Sequence, residues 1–183
     1  MKINTFLFFL VAFVCMLSAT ALSAQDGPAN NKDEFQQKYE WRIKREILNG
    51  VYIPKDLGDA FNELNKKIDA ESKAKFLMVP EDTAAIKLHF SLGRWMIVNW
   101  GFYEGSRFSH YLRQAGITYP DDMARFVIIT YHRFLNEKPL EIKALAESIK
   151  EERQADYKQK MEGATILHEE TRVREKEPEK EKN

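Results

Sequence analysis

His89-Phe90-Ser91-Leu92-Gly93-Arg94-Trp95-Met96-Ile97-Val98-Asn99-Trp100-Gly101-Phe102-Tyr103-Glu104-Gly105 is the stretch whose reading decides the fold. Its apolar residues stand too close together for a helix with one wet face, so it reads as a buried helix stopping at Gly101, then a turn bracketed by Gly101 and Gly105. Upstream, Pro80-Glu81-Asp82 supplies the start, with acids at the positive end of the helix dipole. Ala85, Leu88, Leu92, Trp95, Met96 and Asn99 share one broad face, while Phe90, Ile97 and Val98 lie off it. This helix is therefore expected to be covered on more than one side.

Further helices extend outward from it in both directions. Phe35, Tyr39, Ile43 and Ile47 recur every four residues and predict a helix over 33–48, ended by Asn49-Gly50. Val51-Tyr52-Ile53 reads as an extended link. Leu57, Phe61, Leu64 and Ile68 mark the next helix, and 70–78 a short one. After Gly105, Ser106 is the expected N-cap of a helix to Ala115, with Gly116 beyond its end. Thr118-Tyr119-Pro120-Asp121 fits a capping-box start, and the near-continuous apolar run Met123 to Phe134 follows it as a second buried helix. Pro139 breaks the chain before a last helix over 140–161.

The fold expected is thus all-α, a compact orthogonal bundle of about six or seven short helices. At the N-terminus, Lys2, the apolar run Phe6 to Leu17, and the small residues Ala19, Ala21, Ser23 and Ala24 follow the order of a secretory signal peptide. The expected organisation is signal peptide over 1–24, flexible leader over 25–32, helical domain over 33–161 and a disordered charged tail over 162–183, since the tail has too little apolar area to offset chain entropy. Export to the periplasm or the outside follows. Were the signal retained, the uncharged stretch from Ile3 to Gln25 would make a membrane-tethered structural protein the alternative.

Composition narrows the chemistry. The chain has 28 basic and 28 acidic residues, and a protein that neutralises phosphates shows a basic excess, so nucleic acid is not an expected partner. Cys15, the single cysteine, lies within the apolar leader. Loss of that leader removes every thiol and excludes disulfides, iron-sulfur clusters and zinc-cysteine sites. No P-loop, dinucleotide fingerprint, His-Glu-x-x-His, EF-hand or Gly-x-Ser-x-Gly motif occurs. No cofactor and no metal is expected.

Four sets of polar or aromatic residues remain. Ser106 and Arg107 at a helix start, joined by Arg94, have the chemistry to hold a carboxylate or phosphate. The plain alternative is a serine cap with Arg107 paired to a local acid such as Glu104. His89, His110 and His132 fall on three helices and are catalytic candidates with Asp121 and Asp122, although none has the i, i+4 spacing of a one-element metal site. Separate, individually hydrogen-bonded histidines and helix-capping aspartates are the plain reading. Trp100, with Trp95, Phe102 and Tyr103, forms an aromatic cluster that is either core or a stacking surface.

His89-Phe90-x-Leu92-Gly93-x-Trp95, Asn99-Trp100-Gly101, Gly105-Ser106-Arg107, Pro120-Asp121-Asp122-Met123 and Tyr131-His132-Arg133-x-Leu135-Asn136 together resemble an uncharacterised bacterial family of small helical domains of unknown function, over a core of 53–136. The resemblance implies a domain boundary and a shortlist of polar residues, and carries no activity. The function expected is an exported, non-enzymatic binding or interaction module, holding a small anionic ligand or a partner protein near Trp100 to Tyr111. A small hydrolase or transferase using the histidines and aspartates is the alternative.

Overall fold

The computed structural model describes residues 29–163; the expected signal peptide and nearly all of the expected tail lie outside them. The elements are α1 (Lys32–Arg42), β1 (Ile47–Leu48), β2 (Val51–Tyr52), α2 (Leu57–Lys67), α3 (Ala70–Leu77), α4 (Glu81–Leu88), a π-helical turn (His89–Gly93), α5 (Arg94–Asn99), α6 (Arg107–Gln114), α7 (Pro120–Leu135) and α8 (Ile142–Glu162). Taking α4, the π turn and α5 as one continuous rod, seven helices make up most of the described residues. No described helix is long and apolar enough to cross a membrane.

The hub is α7. It packs against α3, α4, the π turn, α5, α6 and α8, and Met123 through Thr130 bury every residue but Arg125. A helix apolar on nearly all sides must be enclosed, and here neighbours close around it. Thr130, buried within it, donates its hydroxyl to the carbonyls of Phe126 (2.8 Å) and Val127 (3.1 Å), so its polar atom carries no desolvation penalty. The 89–105 stretch thus lies against the centre and is not itself the centre.

The π turn explains why. Buried positions run Ala84 and Ala85, with Leu88 half-buried, and resume at Gly93, Met96 and Ile97. The extra residue of the wide turn advances the inward face by five positions. Phe90 and Val98, expected to be covered, are instead 84% and 65% exposed. Gly93 sits where the rod meets α7, an added Cβ lying 3.6 Å from that of Ala124.

Two further local expectations change. The helix predicted over 33–48 ends at Arg42, because Asn49 (φ +50°) and Gly50 (φ +76°) turn the chain tightly and pair Ile47 with Tyr52 and Leu48 with Val51. An Asn-Gly pair with both residues left-handed is the hairpin turn that matches strand twist. Leu48 and Ile53 are thereby carried into the core, Ile47 points to solvent, and α1 is left with no buried residue. At α7 the N-cap is Tyr119 with no side-chain cap bond, not Thr118. Pro120 at N1 has no N–H to satisfy, so the expected capping box has less to do. Ser106 caps α6 as expected, exchanging side-chain to backbone bonds with Ser109 at 3.1 and 2.8 Å.

Candidate functional site

The Trp100 to Arg107 segment is built into the fold. Trp100, Phe102, Ser106 and Phe108 are completely buried, with Trp100 set edge-on to Trp95 and Phe108. The turn itself is roofed by α1. Arg42 donates Nε to the Gly105 carbonyl (3.1 Å) and pairs through Nη2 with Glu104 (2.5 Å), while Tyr39 lies against Gly105. Gly105 has φ +92°, and a Cβ there would fall 2.2 Å from Tyr39 Cδ2. Only glycine permits both the backbone angle and this approach.

Arg107 is committed elsewhere. Its Nε donates to the Ile53 carbonyl (2.7 Å), its Nη1 reaches Glu46 (3.1 Å), and its guanidinium lies 5.1 Å over the Tyr52 ring. The acid partner is therefore Glu46 on the hairpin approach, not neighbouring Glu104. It clips α6 to the hairpin. Arg107 Nη2 and Trp100 Nε1 are buried donors with no partner among the described residues. Arg94, exposed on α5, forms no side-chain hydrogen bond or ion pair with the described residues, and neither arginine lines the main cavities described below.

The histidines are dispersed. His110 shares a 2.8 Å hydrogen bond with the Tyr39 hydroxyl and meets Gln114 at 3.1 Å. His132 is buried, donating Nε2–H to the Val79 carbonyl (2.9 Å) and accepting at Nδ1 from Asn136 (3.2 Å). Each of these rings has both nitrogens occupied. His89 alone meets a candidate acid, its Nε2 lying 3.5 Å from Asp121 Oδ1. Asp122 is held instead by Arg153 of α8, with Nη2 to Oδ1 at 2.6 Å, and that guanidinium stacks 4.0 Å over Tyr119. Among the described residues, no three His, Cys, Asp or Glu side chains gather as a metal site would require.

What the sequence did not single out is a cavity of about 410 Å³ between α3, the α4 rod and α7. Phe76 of α3, Ala84 and Leu88 of α4, Leu92 of the π turn and Tyr131 of α7 form its apolar walls, with Ile68 and Val79 from the links between helices. Ser72, Lys75 and Lys87, all exposed, are its polar members. Tyr131 turns its hydroxyl to Asn65 Oδ1 (2.9 Å), and burial pushes its phenol up to about 12. The Val79 carbonyl is already taken by His132. The interior thus presents hydrocarbon and ring faces with its nearby polar atoms already paired. Periodicity placed Ile68, Leu88, Leu92 and Tyr131 on apolar helix faces; a void among them depends on how three helices splay, for which no local signal exists.

A second, wider groove of about 990 Å³ runs between the 116–125 segment and α8. It is crossed by the Asp122–Arg153 and Arg125–Glu152 (2.5 Å) pairs, which fasten α8 to α7.

No curated protein and no solved structure matches the chain. A family model does, over residues 53–135, from the buried Ile53 that leaves the hairpin to Leu135 at the end of α7. That interval holds every residue lining the apolar cavity and leaves out α1, the hairpin and α8. Residues 53–135, a little under half of the chain, match the family model described as Domain of unknown function (DUF6794).

Proposed function

We propose that this chain is an exported, non-catalytic binding module, and that its ligand enters the apolar cavity between α3, the α4 rod and α7. The observation that carries the reading is the cavity itself: about 410 Å³, walled by apolar side chains contributed wholly by the family domain. Ligand pockets usually measure about 300 to 1000 Å³ and combine apolar walls with a few polar groups. Export rests on Lys2, the apolar run Phe6 to Leu17 and the small residues after it.

The surface near Trp100 to Tyr111 supports a ligand less well. Its rings are core, its serine caps a helix and its arginine holds the hairpin. For catalysis, the His89–Asp121 pair lies in none of the three main cavities, and a base needs a substrate position within hydrogen-bond reach.

The test is titration with a neutral fluorescent apolar probe, N-phenyl-1-naphthylamine. Saturable binding at one site, lost in Leu92→Trp while that variant keeps its helical circular dichroism, is the expected outcome. Absence of saturable binding to the folded wild-type protein overturns the cavity reading. The intact mass of protein recovered from the cell checks export: a chain lacking its first 23 or so residues is expected, and a full-length chain refutes cleavage.

A further inference from the structure

We infer that the ligand is a single-chain amphiphile with an anionic head, its tail in the cavity and its head at the mouth between Lys75 and Lys87; this rests on the cavity reading above. Three observations point there. First, the charged groups lining the cavity are both cationic, in a chain with equal numbers of acids and bases, and no carboxylate lines it. Second, the two lysines are available. Among the described residues, Lys87 is exposed and makes no ion pair or hydrogen bond, while Lys75 is held only by Glu71 on its own helix, at 2.6 Å with both side chains more than 70% exposed. Water screens such a pair strongly, so an incoming headgroup displaces Glu71 at little cost.

Third, the interior refuses polarity. The Tyr131 hydroxyl proton is committed to Asn65 and the Val79 carbonyl, an acceptor, to His132, so neither offers an anionic head placed inside a hydrogen-bond donor. A polar group therefore belongs at the mouth and a hydrocarbon inside. The volume lies near the lower end of the range for ligand pockets, which suits one extended chain better than a fused-ring body.

Decanoate and decanol separate the head from the tail. Both are titrated, below the concentrations at which they aggregate, against protein carrying the neutral naphthylamine probe, with wild type and the Lys75→Gln/Lys87→Gln double variant compared at low salt. Decanoate is expected to displace the probe from wild type about tenfold more effectively than decanol, the size of one or two exposed charge contacts. In the double variant that preference is expected to fall to about twofold or less, with decanol unchanged. The lysines are exposed, so folding is not at stake, and decanol affinity reports directly on an intact cavity. Equal displacement by both compounds in wild type overturns the headgroup assignment and leaves the apolar cavity standing. Displacement by neither overturns both readings. A decanoate preference that survives in the double variant, or that does not weaken with added salt, also overturns the assignment to Lys75 and Lys87.

Discussion

Gly105→Ala is the substitution that most directly probes how the turn after α5 is held. Two penalties are legible in the structure. An L side chain at φ +92° costs about 1–2 kcal/mol of backbone strain. Its Cβ would also lie 2.2 and 2.6 Å from Cδ2 and Cε2 of Tyr39, so the ring must leave, and with it the 2.8 Å bond to His110, worth about 0.5–1.5 kcal/mol. The single variant should therefore lose about 2–3 kcal/mol in urea unfolding followed by tryptophan fluorescence. In a Tyr39→Ala background the clash and the hydrogen bond are already gone, so Gly105→Ala should cost only the backbone part. The double-mutant cycle is expected to return a coupling of about 1 kcal/mol. Coupling within about 0.3 kcal/mol of zero would mean that α1 does not roof the turn as described, and an unchanged stability for Gly105→Ala alone would refute the strain argument as well.

Other expectations follow from the same geometry. Arg133 donates to both oxygens of Glu81 (2.6 to 3.1 Å) and to the Leu140 carbonyl (2.9 Å); Arg133→Ala should cost about 2–3 kcal/mol in the same assay, less than a fully buried pair because Glu81 is partly wet. Those hydrogen bonds hold the Glu81 carboxyl below its ordinary value, so its contribution is complete above pH 4.5 and is lost as pH falls through the lowered value; Glu81→Gln should flatten the acid limb of stability against pH. Burial of Tyr131 has the opposite sense: the phenol stays protonated in the fold while the unfolded chain ionises near 10, so stability should fall as pH rises from 10 towards 12, and Tyr131→Phe should remove part of that fall. Gly50→Ala, at φ +76° with open space around it, should cost about 1 kcal/mol and speed amide exchange at Ile53, whose N–H donates to the Glu46 carbonyl at 2.8 Å.

The local settings of the polar residues named from the sequence were legible, whereas their partners and the cavity were not. Ser106 as a helix cap and Asp121 and Asp122 in a first turn are local matters, settled by a serine after a glycine turn and acids behind a proline, and the structure shows them so. The partners are another matter. Arg107 bonds a carbonyl 54 residues away and His132 one 53 residues away, separations at which no spacing rule applies. Asn49-Gly50 ends a helix in one reading and turns a hairpin in the other. Its outcome depended on Leu48 and Ile53 both finding room in the core, and two-residue strands leave no periodic trace.

Taken alone, the sequence determined the helical class, the helix ends ahead of Gly101, Gly116 and Pro139, and the burial of most residues from Met123 to His132, because each follows from apolar spacing and backbone preference within a few residues. Tertiary structure decided which apolar residues were left exposed, Phe90 and Val98 among them, and which polar candidates were occupied by the fold. It also decided where space was left. A cavity is the volume that several helices fail to fill together, so it belongs to their mutual packing and to no segment of the chain.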